Sequence, residues 1–274
     1  SNSFRMINGK ESIGLETTFA RKVDTAELEQ KVRRMYSDVA LHPQGEYHFE
    51  MGRGLAEKLG YEMNDLDRIP AGAIESFAGV GYFFDIANLK VGEHVLDLGS
   101  GSGMDVFVAA LKVGNTGHVS GVDMTDDQLE KSERLRKENT IANVSFHKSY
   151  IEQLPFPDSS VDAVISNGVI NLCPDKGKVF AEVARVLKPG GRMVIADIVT
   201  EKQLPDNVVC NSTLWAACIG GASQEDEYGN AIKHAGMEVL YLKTNDAYGF
   251  ISKSARSASR DYGVKSVSLL AQKN

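Results

Sequence analysis

The chain has 274 residues, 42% of them hydrophobic and 24% charged, which fits a globular protein with one large domain, with or without an appendage. Its net charge of −7 argues against a general nucleic-acid binder, which needs a basic face. There is no apolar run of the length that spans a bilayer and no apolar stretch near the start that would mark a leader. With only three cysteines, Cys173, Cys210 and Cys218, a cytoplasmic, reducing setting is the simplest expectation.

Residues 1–20 are polar and poorly patterned. From Thr25 to Val39, Leu28, Val32 and Tyr36 recur four apart, predicting a helix with Thr25 as N-cap. "FEMGRGLAEKLGY", residues 49–61, reads as a second helix, weakened by Gly52 and Gly54 and closed by Gly60. Pro70 and the following glycines then break the pattern. We expect an N-terminal helical cap segment over 1–72 and a separate α/β domain over 73–274.

From Glu93 onward, strands and helices alternate. "HVLDLG" is a buried strand and "GMDVFVAALKVG" a helix. "GHVSGVDM" is a second strand, and "TDDQLEKSERLRKENT" an amphipathic helix opening on Thr125. "VSFHKSY" and "SVDAVISNG" are the third and fourth strands. "DKGKVFAEVARVLKPGG" is a helix stopped by Pro189 and Gly190, and "RMVIADIV" is the fifth strand. This alternation implies βαβ units, a parallel sheet and right-handed crossovers. "DEYGNAIKHAGM" is one more helix, followed by the strands "EVLYLKT" and "VKSVSLLAQ". The long stretch between those two strands reads as a loop with no helix, so they are expected to pair antiparallel.

The stretch "VLDLGSGSGMD", residues 95–105, sits at the carboxyl end of the first strand, where open α/β sheets bind ligands. Gly99, Gly101 and Gly103 let the backbone turn tightly and approach a ligand closely. The dinucleotide fingerprint would space its glycines G-x-G-x-x-G; here the spacing is G-x-G-x-G. Asp97 at the entrance would repel a pyrophosphate, but it suits a ligand carrying an ammonium and a sulfonium. Loop and acid together favour S-adenosylmethionine over a nicotinamide dinucleotide. Asp123 ends the second strand, where an acid can accept both ribose hydroxyls. Its plain alternative is a cap of the next helix, a role that Thr125 already offers.

The motifs "VLDLGSGSG", "GVDMT", "LPFPDSSVDAVISNGVINL" and "EVARVLKPGGRMVIADIV", in that order, resemble the class I S-adenosylmethionine-dependent methyltransferases. The resemblance implies a Rossmann-like, seven-stranded, mostly parallel sheet with its last strand antiparallel and helices on both faces. It also implies that Asp97, Gly99, Ser100 and Gly101 hold the methionyl part and that Asp123 and Met124 hold ribose and adenine. Ile151 and Glu152 would flank the adenine, and Asn167 would face the methionyl group and the substrate pocket.

A narrower resemblance joins "AEKLGYEMNDLDRIP", "SNGVINLCPDKGKVFAEVARVLKPGGRM" and "WAACIGGASQEDEYGNAIKHAGM" to the arsenite methyltransferases. That family binds arsenite through three cysteine thiolates. Val80 stands at the first of these positions, Gly168 at the second, and Cys218 matches the third. A rearranged site of Cys173, Cys210 and Cys218 is the arsenic alternative; Cys218 and Cys173 are the substrate-facing candidates. The plain alternative is that each cysteine is a small buried apolar residue. His94, His118 and His147 show no metal-ligand spacing, and no metal is expected. Aromatics such as Phe77, Tyr82, Phe83, Phe84, Trp215, Tyr228, Tyr248 and Phe250 could wall a pocket, with core packing the better expectation for any one.

The main expectation is therefore methyl transfer from S-adenosylmethionine to a small-molecule acceptor, with no nucleic acid and no membrane involved. The residues leave the oligomeric state, the acceptor and any general base unassigned. Rivals of another class are a nicotinamide-dependent reductase and a non-catalytic cofactor-binding protein.

Overall fold

A computed structural model of the chain describes residues 25–47, 49–205, 207 and 221–274. The first helix, α1 (Thr25–Leu41), is followed by four short ones: α2 (Arg53–Leu59), α3 (Met63–Asp67), α4 (Ala71–Glu75) and α5 (Phe84–Ala87). Then come β1 (His94–Leu98), α6 (Met104–Val113), β2 (His118–Asp123), α7 (Asp126–Glu138), β3 (Val144–Lys148) and β4 (Val161–Asn167). A 3₁₀ turn (Ile170–Leu172) leads to α8 (Lys176–Val186) and β5 (Leu187–Val199). Beyond the next described residues are α9 (Glu225–His234), β6 (Met237–Thr244), α10 (Lys253–Tyr262) and β7 (Lys265–Lys273).

The strands form one seven-stranded sheet in the order β3-β2-β1-β4-β5-β7-β6. The five strands from β3 to β5 are parallel, and β7 runs antiparallel to both β5 and β6. β1 is "HVLDL", buried on both faces, as the centre of a doubly covered sheet requires. On one face, Phe107 and Val108 of α6 and Leu135 of α7 share a core with Leu55, Leu66, Phe77 and Phe83 of the N-terminal helical region. On the other, Phe180 and Val183 of α8 pack with Tyr228 and Ile232 of α9 against Leu96, Leu98 and Ile195.

Three local expectations change. The helix expected over 49–61 contracts to α2, because Gly52 at its N-cap adopts φ 86, outside the helical region. The helix expected to run to Pro189 ends at Val186: Leu187 is already extended at ψ 137, and the residue before a proline is driven out of the α region, which adds Lys188 to the extended segment. The segment between β6 and β7 carries α10 where a helix-free loop is expected. Its sequence "KSARSASRDY" buries only Ala255 and Ala258, so it lacks the stripe of large apolar residues that signals a helix. Ser252 caps it, accepting a hydrogen bond from the Ala255 N–H at 3.1 Å. The antiparallel pairing of β6 and β7 stands all the same.

Candidate cofactor and active site

At the carboxyl ends of β1, β2 and β4 lies a cavity of about 380 Å³, and α1 contributes Glu29, Val32 and Tyr36 to its wall. Asp97, Gly99, Ser100, Gly101, Asp123, Met124, Ile151, Glu152 and Asn167 all line it. Residues from five separate stretches of sequence therefore meet in one space.

The loop begins where β1 stops. Gly99 adopts φ 68, and a Cβ there would sit 2.5 Å from Val169 Cγ2, so only glycine fits without repacking. The Ser100 N–H donates to the Val122 carbonyl at 2.9 Å, tying the loop to β2. Asp123 Oδ2 accepts from the Gly101 N–H at 2.9 Å, and its Oδ1 accepts from the Thr125 N–H at 2.9 Å. Thr125 makes no side-chain cap bond to α7, contrary to the expectation from sequence. Burial pushes the Asp123 carboxyl up, while hydrogen bonds from Thr125, Gly101 and Met124 oppose the shift. Each carboxylate oxygen holds more than one lone pair, so acceptor capacity remains toward the cavity.

Asp97 is 3% exposed. No hydrogen bond from a described residue reaches its carboxylate. Burial, then Asp105 and Asp123, push its carboxyl well above the usual range. Ser100 Oγ is also buried without a partner among the described residues. Among the described residues, six carboxylates line the cavity (Glu29, Asp97, Asp105, Asp123, Glu152 and Asp175), against one ammonium, Lys178. Buried acids with so little cationic compensation fit a ligand that brings positive charge with it. S-adenosylmethionine, with an ammonium and a sulfonium, is a ligand of that kind.

Asn167 lines the cavity and holds the preceding loop. Its Oδ1 accepts from the Val80 N–H at 2.8 Å, and its Nδ2 donates to the Gly81 carbonyl at 2.9 Å. The same Nδ2 lies 3.3 Å from Asp105 Oδ2. Asp105 itself accepts a hydrogen bond from the buried Tyr61 hydroxyl. Sequence reasoning missed Asp105 and Tyr61. The sole hint was an acid two residues past the last loop glycine; its partners come from far along the chain. It also missed the link from loop to α1: Ser102 Oγ donates to Gln128 Oε1 at 2.5 Å, and Gln128 Nε2 donates to the Tyr36 carbonyl at 2.7 Å.

Cys173 lines the cavity beside Glu152; burial pushes its thiol up, and so does Glu152, whose carboxylate accepts the thiol hydrogen bond. Cys210, Cys218 and Trp215 lie outside the described residues. Val80 and Gly168 are both buried and adjoin one another: a Cβ on Gly168 would lie 3.3 Å from Val80 Cγ1. Of the described aromatics named from sequence, Phe77 alone lines the cavity. Tyr82, Phe83 and Phe84 pack in the adjoining core. His94 and His118 stack edge to face at 5.5 Å between ring centres on adjacent strands, and no group of metal-ligating side chains occurs among the described residues. No described helix is long and apolar enough to cross a membrane.

A profile of methyltransferase domains matches residues 89–236, more than half of the chain. An arsenite methyltransferase from Halobacterium salinarum is 41% identical over 214 residues, covering 78% of this chain and 54% of that protein. The arsenite methyltransferase of Homo sapiens is 43% identical over 137 residues, 47% of this chain and 36% of its own length. The chain thus spans about half or less of the length of these curated relatives. The crystal structure of an arsenic(III) S-adenosylmethionine methyltransferase from Chlamydomonas reinhardtii superposes with a TM-score of 0.61 at 30% identity, covering 81% of this chain and 74% of that one. With the glycine loop, the seven-stranded sheet and the matching profile in agreement, the chain belongs to the class I S-adenosylmethionine-dependent methyltransferases.

Proposed function

We propose that this chain transfers a methyl group from S-adenosylmethionine to a small-molecule acceptor. The observation that carries the reading is the buried Asp97, whose carboxylate takes no hydrogen bond from a described residue, at the mouth of the Gly99–Gly103 loop in a cavity rich in carboxylates. When bound, S-adenosylmethionine supplies an electrophilic methyl on a sulfonium, which departs as a neutral thioether. The protein supplies alignment and exclusion of water. Asp97 meets the methionyl ammonium, Asp123 the ribose hydroxyls, and Ile151 and Glu152 flank the base. Asn167 fixes the loop at Val80 and Gly81 beside the methionyl end.

Calorimetry tests the reading. Binding of S-adenosylmethionine or its demethylated product at micromolar concentration is expected; no heat with either, but saturable binding of NADH, would overturn it. Within the same titrations, Asp123→Ala should weaken binding at least about tenfold, since a hydrogen bond to a charged group contributes about 1.5–3 kcal/mol. Unchanged affinity would reduce Asp123 to its role in holding the Gly101 and Thr125 amides.

We further propose that the N-terminal region over 1–72 acts as a cap on the domain over 73–274, with α1 closing the site. Glu29, Val32 and Tyr36 on the cavity wall and the Gln128 bond to Tyr36 support this. Limited proteolysis should cut residues 25–60 more slowly when the demethylated product is bound; equal rates with and without it would remove the coupling.

A second reading, arsenite methylation, is favoured by the names of the relatives. Against it stand Val80 and Gly168, the two buried neighbours where that family places cysteines. Cys173 would have to leave Glu152 to join a rearranged thiol site. An organic acceptor is the reading we favour.

A further inference from the structure

Asp105 begins the second residue of α6 and stands on the cavity wall, 6% exposed. Among the described residues its two oxygens accept from neutral donors: the Tyr61 hydroxyl and, at 3.3 Å, Asn167 Nδ2. No described lysine or arginine shares it. The carboxylate of Asp97, buried nearby, takes no hydrogen bond from a described residue, and among the charges that push it up Asp105 comes first. Ser100 Oγ, also on this wall, is buried with no partner among the described residues. The methionyl ammonium, by itself, compensates one of the two carboxylates. The second is left either protonated or facing a further positive centre of the bound nucleotide.

We propose that Asp105 is a specificity-determining residue that makes the site prefer the sulfonium form of the nucleotide over its neutral thioether product. The inference rests on the S-adenosylmethionine reading above and extends it. The two nucleotides share adenine, ribose and the amino-acid end. They differ by one methyl and one unit of charge at sulfur. In the transfer, an acceptor lone pair forms the new bond to the methyl carbon and the carbon–sulfur pair returns to sulfur, so the positive charge leaves that atom. Asp105 then loses its counter-charge, and the product is held more weakly than the donor. A site built this way discharges its product rather than being inhibited by it.

The test measures dissociation constants of S-adenosylmethionine and S-adenosylhomocysteine by calorimetry for the natural chain, Asp105→Asn and Tyr61→Phe. The natural chain should bind the sulfonium form several-fold more tightly. Asp105→Asn should weaken that form at least about tenfold and the thioether by no more than about twofold, collapsing the ratio. Tyr61→Phe removes the hydrogen bond that favours the ionised Asp105 carboxyl, which burial already pushes up to about 6, so the ratio should fall there too but recover at about pH 8.5, which Asp105→Asn cannot do. Equal losses for both nucleotides in Asp105→Asn, or a ratio in Tyr61→Phe that does not recover at about pH 8.5, would overturn the proposal and make Asp105 a support for the Asn167 loop. Failure of the natural chain to bind either nucleotide would instead strike the cofactor reading itself.

Discussion

Asp97→Asn should bind S-adenosylmethionine about tenfold to a hundredfold more weakly than the natural chain, and its ligand-free form should melt at a higher temperature. The two effects have one cause. In the ligand-free fold, Asp97 is buried, receives no hydrogen bond from a described residue, and lies near Asp105 and Asp123. Neutralising it removes an uncompensated buried charge, which stabilises the fold. In the complex we propose, the same charge meets the methionyl ammonium, and losing a charge-assisted bond costs about 1.5–3 kcal/mol. The pH dependence has a definite sign. The folded chain holds the Asp97 proton more tightly than the unfolded chain does. Stability linked to that proton is present in acid and is lost as pH rises through the folded value. The gap in melting temperature between variant and natural chain should therefore widen from about pH 5 to about pH 7.5. Thermal scans at both pH values, with titrations alongside, check all three statements. A variant that binds normally, or that melts lower at every pH, would mean that Asp97 has a structural partner.

The second large effect concerns arsenic. Stable capture of arsenite calls for two or three converging thiolates. Of the positions carried over from the arsenite methyltransferases, Val80 and Gly168 hold no sulfur. Cys173 keeps its proton, because burial and Glu152 both push the thiol up. No methylarsenicals should form at turnover rates when the chain is incubated with arsenite, a thiol reductant and S-adenosylmethionine. The double variant Val80→Cys, Gly168→Cys should gain tight arsenite binding, because the two side chains would adjoin. Gly168 has φ +70, so a cysteine there should cost roughly 1–2 kcal/mol in stability. Speciation of arsenic products decides the first point and titration with arsenite the second. Methylarsenicals from the natural chain, lost in Cys218→Ser and in Cys173→Ser, would establish the rearranged thiol site instead.

Much of the fold was legible because its signals are local. The buried run of β1, the glycines after it, and the amphipathic spacing of α7 each lie within a dozen residues. What was hidden depends on contacts or on small residues. The α10 helix buries only two alanines, so its face is marked by small residues set against charged ones and not by the large apolar residues that were sought. Thr125 sits in cap position, yet the acceptor for the Thr125 N–H is Asp123, and only the backbone path shows which oxygen arrives. The loop and strand-end residues named from sequence do line one cavity. Asp105 was not named, because its partners Tyr61 and Asn167 are 44 and 62 residues away. Val32 and Tyr36 lie on the stripe read from their spacing, but their approach to the cavity depends on how α1 sits against α7, which spacing within one helix does not give.

The measurement that bears most directly on this account is a crystal structure of the chain with S-adenosylhomocysteine. The account predicts the amino group of the methionyl end against the Asp97 carboxylate and both ribose hydroxyls within hydrogen-bond distance of Asp123, roughly 2.5–3.0 Å. The adenine should lie between Met124 and the Ile151–Glu152 turn. A nucleotide bound elsewhere, or one whose ribose and ammonium avoid both acids, would contradict it.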